Sequence, residues 1–214
     1  MKRLGPILTA LCLAAMTFSA CGSDTDMLPE CEVSGFVTCI TDADGHVTEI
    51  VDDMGHRFRV CDNRYSFESG DSYRRRICTY IIHKDSTADI KGLYVPNCMN
   101  ALDTCNIEQV FRVFDPFEVE SAYVGGGYLN IVLKIMTRSE SAYRQHYLVP
   151  VRFESADSPV FSFIHESGGD VPVYTKKNYY CIPLADCGIQ KNDTVFFKYR
   201  NYNEEDCCLK YIYR

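Results

Sequence analysis

The chain of 214 residues contains no tryptophan and has fewer basic than acidic residues, with 22 Lys and Arg against 29 Asp and Glu. The net charge of −7 disfavours nucleic acid as a ligand, because affinity for phosphates comes mainly from Lys and Arg that displace counterions. Beyond the N-terminus no apolar run reaches 18 residues, so we predict no membrane-spanning helix. A hydrophobic content of 46% is typical of a folded globular protein and excludes a disordered chain.

Motifs of common catalytic sites are also missing. Residues 165–169 read His-Glu-Ser-Gly-Gly, with glycine where a zinc-protease helix needs its second histidine, and Ser167 lacks the glycines of a nucleophile elbow. The run Gly125-Gly126-Gly127 lacks the Lys-Ser/Thr of a phosphate loop, so we interpret it as a bend before a strand. We therefore predict no catalytic residues, no metal and no cofactor, and expect His83, His146 and His165 on strands facing water.

Twelve cysteines are many for a protein of the reducing cytosol, and they favour an exported protein. Without Cys12 and Cys21, discussed below, six remain before residue 115 and four after it. No Cys-x2-4-Cys pair suggests a zinc site, so we favour structural disulfides over buried thiols and leave their connectivity open. On a strand Cys207 and Cys208 point to opposite faces; we expect Cys207 to face the core near Cys181, and Cys208 to face outward.

The N-terminus is typical of a secretory signal. Lys2 and Arg3 precede an apolar stretch at residues 7–15 that is too short to span a bilayer. The sequence Phe18-Ser19-Ala20-Cys21 resembles the lipobox of bacterial lipoproteins, with Phe18 where leucine is commoner. We therefore predict a signal peptide at residues 1–20 and Cys21 as the lipid attachment site, which tethers the mature chain to a membrane. Removal of Lys2 and Arg3 takes the net charge from −7 to −9.

Residues 21–32 are polar and acidic without periodicity, and we interpret them as a flexible tether. Acidic residues directly after an acylated cysteine also resemble the surface-export signals of lipoproteins in some anaerobic Gram-negative bacteria. The sequence therefore predicts an outer-membrane lipoprotein and leaves open whether it faces the periplasm or the cell surface.

Strand signals dominate the rest of the chain. In residues 129–135 every odd position is aliphatic while Asn130 and Lys134 lie on the other face, which is the period of a half-buried strand. The same alternation occurs at residues 147–153 and 195–199. Three further strands, at residues 33–40, 46–51 and 57–61, are separated by Asp44-Gly45 and Met54-Gly55 and should form a meander. Residues 107–114 fit a helix or a strand, and we favour a strand.

The dipeptide Asp115-Pro116 separates two β-rich halves, so we predict one domain at residues 33–114 and a second at residues 115–214. The run Arg74-Arg75-Arg76 is interpreted as a solvated strand edge. The chain has 15 Tyr and 12 Phe, most of which we expect on half-buried sheet faces, with a binding platform as the alternative. Alternation places at least one of Tyr179 and Tyr180 outside.

The order of lipobox, acidic spacer, meander and Asp-Pro break leads into the strand Gly127-Tyr128-Leu129-Asn130-Ile131. This arrangement resembles the NigD-like lipoproteins of anaerobic Gram-negative gut bacteria. The resemblance implies an all-β fold, with an N-terminal OB-like barrel followed by a C-terminal β-sandwich. That family has no determined biochemical role, was named from a link to bacteriocin loci and offers no catalytic residues to carry over. The chain departs from it in its cysteine content and in Gly125-Gly126-Gly127.

Two tripeptides, Asp85-Ser86-Thr87 and Asp193-Thr194-Val195, resemble O-glycosylation acceptor sites of such bacteria, which makes Ser86 and Thr194 candidate glycosylation sites. For function, the leading hypothesis is a non-catalytic envelope lipoprotein that binds a protein or small-molecule ligand. The alternatives are an envelope hydrolase with carboxylates assembled by folding and a bacteriocin-associated toxin or immunity factor.

Overall fold

A computed structural model describes residues 31–62, 64–68, 74–104, 115–153 and 158–214. Within these ranges the chain forms fourteen strands and one short helix. They are β1 (Cys31–Thr41), β2 (Val47–Val51), β3 (Arg57–Val60), β4 (Arg75–Ile82), β5 (Thr87–Tyr94), β6 (Asn97–Cys98), β7 (Leu102–Thr104), β8 (Glu118–Gly125), β9 (Tyr128–Thr137), α1 (Glu140–Tyr143), β10 (Tyr147–Phe153), β11 (Val160–Glu166), β12 (Tyr174–Pro183), β13 (Thr194–Arg200) and β14 (Asp206–Ile212). No helix in these ranges is long and apolar enough to cross a membrane.

The first five strands close into a barrel in the order β1-β2-β3-β5-β4, with β4 pairing back to β1. The predicted meander is confirmed, because β1 pairs with β2 and β2 with β3, both antiparallel. Gly45 and Gly55 have φ of 87° and 88° in the two connecting turns, a conformation that other residues rarely adopt. In each turn an aspartate, Asp42 or Asp52, accepts hydrogen bonds from backbone N–H groups two and four residues later.

Nine strands form two further sheets. One has the order β14-β13-β11-β10-β7 and the other β6-β12-β9-β8. The alternation predicted for residues 129–135 is confirmed, because Leu129, Ile131, Leu133 and Ile135 are fully buried in the core between these sheets. The chain therefore has the predicted all-β fold, with a closed five-stranded barrel and further sheets.

The chain enters the sandwich sheets before the predicted domain boundary at Asp115-Pro116. β6 and β7 lie in the range predicted for the barrel, yet β6 pairs with β12 and β7 with β10. The cause is long-range pairing, which no local composition change marks. The ambiguous segment at residues 107–114 lies outside the described residues.

The second face of the β6-β12-β9-β8 sheet packs against the barrel. An interface cluster joins Phe36 of β1 to Val132 and Cys181, with several half-buried aromatic residues around them. Tyr180 is 4% exposed in the sandwich core, and Tyr179 is half-buried with its ring 6.3 Å from that of Phe36. The expectation that one of these two tyrosines faces outside was wrong, because both faces of this sheet are covered.

A disulfide joins Cys98 in β6 to Cys181 in β12, with 4.8 Å between the Cα atoms. The prediction of structural disulfides holds for this one bridge, since the other cysteines of the described residues are free thiols, namely Cys31, Cys39, Cys61, Cys78, Cys187, Cys207 and Cys208. Cys181 lies in the interface cluster and not beside Cys207. Cys207 lies near Asn201, whose amide nitrogen is 3.8 Å from its sulfur, and Cys208 is exposed as expected. The two halves of the chain are therefore linked covalently across the predicted boundary.

Candidate functional site

A cleft of about 560 Å³ lies where the barrel and the sandwich meet. Five parts of the chain form it: β1 and the β2–β3 turn of the barrel, the β8–β9 turn and the β12–β13 loop of the sandwich, and residues after the end of β14. Its lining residues are Thr38, Ile40, Val51, Asp52, Asp53, Met54, Gly55, Arg57, Gly126, Gly127, Lys191, Tyr213 and Arg214. A cleft between two structural units is a common place for a ligand, so this is the candidate site.

Arg75 contacts two residues that line the cleft, Asp53 and Thr38. Its side chain is fully buried and its Nη2 atom forms an ion pair with Asp53. Nε and Nη2 also donate to the side-chain oxygen of Asn130, at 3.2 and 3.0 Å, and Nη1 donates to the Thr38 hydroxyl at 3.2 Å. A buried guanidinium needs such partners because an unpaired charge away from water is very unfavourable. Arg75 therefore connects β4 of the barrel with β9 of the sandwich.

Asp53 has its own second partner. Its Oδ2 atom accepts a hydrogen bond of 2.8 Å from the Tyr123 hydroxyl in β8. Burial, together with this hydrogen bond to Asp53, raises the pKa of Tyr123, so the phenol remains protonated and donating. The barrel turn that carries Asp53 is thus held against two sandwich strands.

The glycines of the β8–β9 turn allow the barrel and the sandwich to come into close contact. A Cβ atom on Gly125 would lie 2.7 Å from the Cβ of Asp53, and one on Gly126 would lie 2.6 Å from Nη1 of Arg75. Gly126 and Gly127 also have φ of 59° and 88°. The interpretation of this run as a bend before a strand is confirmed, and the bend also makes room for the ion pair.

The acidic side chains at the cleft already have partners within the protein, whereas two of the basic side chains are exposed to solvent. Asp53 is held by Arg75 and Tyr123, and Asp52 is held by the N–H groups of its turn and by His56, whose Nδ1 lies 2.9 Å from Oδ2. Among the described residues, Lys191 and Arg214 form no salt bridge, and both are exposed. The cleft therefore offers cationic side chains to a ligand while its aspartates are committed to the structure.

The prediction of a solvated Arg74-Arg75-Arg76 edge was wrong. Arg75 is 0% and Arg76 only 5% exposed. The alternation itself holds, because the guanidinium carbons of Arg74 and Arg76 lie 4.6 and 4.0 Å from the centre of the Phe67 ring, whereas Arg75 points to the sandwich. The strand end lies at the junction of the barrel with the sandwich, so neither face is free to meet water.

A second buried polar network lies inside the sandwich. His146 places Nδ1 3.1 Å from Nε2 of His165 and Nε2 3.0 Å from Oδ2 of Asp170. His165 Nδ1 lies 3.1 Å from the carbonyl oxygen of Pro116, so Nδ1 donates and Nε2 accepts in the neutral ring. His146 therefore donates from Nδ1 to Nε2 of His165.

This network is structural in character. The side chains of His146 and Asp170 are 1% and 3% exposed and His165 is 2% exposed, so a substrate in solution does not reach them. The expectation that His146 and His165 face water was wrong. Burial, and next the neighbouring His146, lower the pKa of His165, which keeps this ring neutral.

The two predicted glycosylation sites do not lie at the cleft. Cys21, the predicted lipid attachment site, is outside the described residues. Ser86 is exposed in the β4–β5 turn with φ of 61°, and Thr194 is half-buried at the start of β13. The network of Asp53, which lines the cleft, with Arg75 and Asn130 was missed; the adjacent glycines at residues 125–127 were the available signal of a close approach.

Two groups of side chains have the composition of metal ligands, although the sequence predicted none. They are Asp42 with Asp44 and His46, and Cys61 with His83 and Asp89. In each group the donor atoms lie within 4.8 Å of one another. Neither group contributes its metal-binding atoms to the cleft wall described above.

The fold has counterparts among solved structures. A NigD-like immunity protein from Bacteroides caccae matches with a TM-score of 0.63 and 20% identity, over 84% of this chain and 96% of that one. A protein of unknown function DUF1344 from Bacteroides vulgatus matches at 0.63 and 10%, over 86% and 92%. A candidate lipoprotein from Bacteroides fragilis matches at 0.59 and 10%, over 86% and 98%. The chain matches no family model and no curated protein. The resemblance to NigD-like proteins is therefore confirmed at the level of the fold.

Proposed function

We propose that this chain is a NigD-like lipoprotein of the Gram-negative cell envelope, tethered through acylated Cys21, that binds a partner in the cleft without transforming it. The fold shared with a NigD-like immunity protein and with a candidate lipoprotein supports this assignment. The lipobox at residues 18–21 supports the tether. The outer membrane is the proposed location.

The proposed binding role rests on the contacts that the two cleft aspartates make within the protein. A hydrolase with paired carboxylates needs one acid that can give a proton and another that can attack or activate water. Here Asp53 is bound by Arg75 and Tyr123, and the oxygens of Asp52 accept from its turn and contact His56. Because Asp53 is committed to the buried Arg75, Asp52 has no free carboxylate partner in the cleft for the paired mechanism, which favours binding over hydrolysis.

The available charges indicate the chemistry of the partner. Lys191, Arg214 and Arg57 are exposed around the cleft, and within the described part of the chain Arg57 forms its salt bridge with Glu49 at the surface. An exposed ion pair of this kind contributes little and is easily exchanged for another partner. The proposed ligand is therefore an acidic segment of a protein in the envelope.

Site-specific photo-crosslinking in intact cells tests this proposal. A crosslinking residue replaces Met54, which is 84% exposed at the cleft, and in a matched control it replaces Val173, which is 68% exposed outside it. We expect a discrete crosslinked protein at position 54 that is absent at position 173 and lost in the double variant Lys191→Glu, Arg214→Glu. The same product at both positions, or a product at 54 that persists in the double variant, would refute binding in the cleft.

The tether has a separate test. Labelled palmitate should enter the wild-type protein and not Cys21→Ser, whereas Cys31→Ser, the next cysteine along the chain, should still be labelled. Label that enters Cys21→Ser to the wild-type extent would remove the lipoprotein assignment and leave the cleft proposal standing.

An immunity function is a second candidate, because one structural counterpart is described as a NigD-like immunity protein. Deletion of the gene should then make the producing strain sensitive to a bacteriocin of its relatives, and the wild-type gene should restore resistance. Unchanged sensitivity towards a panel of such toxins would argue against this candidate.

A further inference from the structure

Three chemically different donor groups lie together on the outer surface of the barrel. Cys61 directly follows β3, His83 directly follows β4, and Asp89 lies in β5, which runs between these two strands. One atom from each, a thiol sulfur, an imidazole nitrogen and a carboxylate oxygen, lies within 4.8 Å of the other two. This cluster is separate from the cleft and from the disulfide.

The backbone holds the three positions in place. The Cys61 N–H donates to the carbonyl of Ala88 at 3.1 Å, and the His83 N–H donates to the carbonyl of Thr87 at 2.9 Å. The two acceptors are the residues immediately before Asp89. Strand pairing therefore aligns the donor residues across three adjacent strands, without depending on a flexible loop.

Alternate side chains of β5 point into the barrel and out to solvent, and the cluster lies on the solvent side. Ala88 and Ile90 are buried in the barrel core at 0% and 3% exposure, so Asp89 between them points outward. The side chains of His83 and Asp89 are 28% and 39% exposed, and Cys61 is exposed. An ion in solution can reach all three groups.

The separations match those around a tetrahedral zinc ion. With Zn–N and Zn–O bonds of about 2.0 to 2.1 Å, nitrogen and oxygen ligands of one tetrahedron lie about 3.3 Å apart. The Nε2 atom of His83 lies 3.4 Å from Oδ2 of Asp89. A thiolate bond of about 2.3 Å places sulfur about 3.6 Å from the nitrogen, within reach of an exposed Cys61 side chain.

We propose that Cys61, His83 and Asp89 bind a Zn²⁺ ion, with water in the fourth position. A mixed sulfur, nitrogen and oxygen set suits zinc, whereas Mg²⁺ and Ca²⁺ take oxygen ligands. A thiolate and a carboxylate also neutralise the two charges of the ion. Lys91, whose Nζ is 4.0 Å from Asp89, is 48% exposed and is free to move away from the bound metal.

The second cluster provides an internal control. Asp42 uses Oδ1 to accept from the N–H groups of Asp44 and His46, at 3.0 and 2.9 Å, so its carboxylate already holds the turn together. It also lacks a sulfur ligand. His46→Gln is therefore a variant that removes a histidine near an acidic turn without touching the proposed site.

The test uses the purified protein, stripped of metal with a chelator and kept reduced. Zn²⁺ is titrated by calorimetry, and Co²⁺ is titrated as a spectroscopic probe, because a thiolate-to-cobalt charge-transfer band reports bonding to cysteine. We expect one zinc per chain and this band in the wild type. Cys61→Ser should lose the band, and His83→Gln and Asp89→Asn should each weaken zinc binding more than about tenfold.

Cys208→Ser, which removes an exposed thiol in β14, and His46→Gln should bind as the wild type does. Zinc should also raise the Tm of the wild type and leave that of Cys61→Ser unchanged, since binding to the folded state alone shifts unfolding. The proposal is overturned if no stoichiometric binding occurs, if the cobalt band survives in Cys61→Ser, or if it disappears in Cys208→Ser.

Discussion

The Arg75 guanidinium of the barrel donates two hydrogen bonds to one oxygen of Asn130 in the sandwich, at 3.2 Å from Nε and 3.0 Å from Nη2. Asn130 in turn donates through Nδ2 to the carbonyl of Gly125 at 3.1 Å. Both side chains are fully buried. The relative position of the barrel and the sandwich thus depends on a satisfied polar contact as well as on apolar packing, and it shapes the cleft.

Asp53→Asn should destabilise the protein by about 3 kcal/mol, because it leaves the buried Arg75 charge without its counterion. Urea denaturation measures the loss of free energy of unfolding. Glu49→Gln, which removes the exposed partner of Arg57, is the matched control and should cost less than about 1 kcal/mol. Equal losses in the two variants would show that the Asp53–Arg75 pair contributes no more to stability than an exposed ion pair.

Gly126→Ala should cost about 2 kcal/mol more than Gly168→Ala. Both glycines have a left-handed backbone, with φ of 59° and 64°, so the conformational penalty of alanine is similar. A Cβ at Gly126 meets Arg75, however, whereas nothing lies within 4 Å of one at Gly168. Denaturation curves of the two variants give the difference directly, and equal stabilities would contradict the close approach of the two units.

Removing the Cys98–Cys181 disulfide by changing both residues to alanine should lower the free energy of unfolding by about 2 to 4 kcal/mol. The bridge closes a sequence separation of 83 residues, which restricts the unfolded chain. Peptide mapping without reductant should recover the linked pair. Cys207→Ala should change stability by no more than about 1 kcal/mol, and a Cys181–Cys207 peptide in the wild type would refute the assignment.

The stability of the protein should fall as the pH is lowered from about 7 to 5, and His165 should contribute to the slope. Burial lowers the pKa of His165 in the folded state, so the unfolded chain takes up this proton at a higher pH and unfolding becomes more favourable on acidification. His146 and Asp115 are the titratable neighbours that face this ring, and they lower and raise its pKa respectively. His165→Gln should give a shallower slope in denaturation experiments across this range, and an unchanged slope would exclude the contribution.

Asp170 should affect the pH dependence of stability in a lower pH range than His165 does. Hydrogen bonds from the Thr137 hydroxyl and then from His146 lower the pKa of Asp170 to about 2, so its ionised form stabilises the fold. This stabilisation is present above the unfolded pKa near 4 and is lost as the pH falls towards 2. Asp170→Asn should be less stable than the wild type at neutral pH and converge with it in acid. A constant difference across this range would contradict the assignment.

Local features of the chain were predictable because their causes are local. Alternation in β9 identified four of the residues that fill the sandwich core, and the glycines at positions 45 and 55 identified the first two turns. The network beside the cleft and the buried histidine network were not predictable in this way. Arg75 and His165 occupy strand positions whose pattern fits a solvated face equally well, and only the element packed over that face decides between burial and exposure.

The sequence by itself determined that the chain folds into strands and where several of them turn, because periodicity and turn residues act over a few residues. Tertiary structure decided which second faces are covered, that Cys98 meets Cys181, and that Cys61, His83 and Asp89 converge on the barrel. These outcomes depend on pairing between strands far apart in the chain, whose register is selected by the packing of the whole fold and not by the residues beside each site.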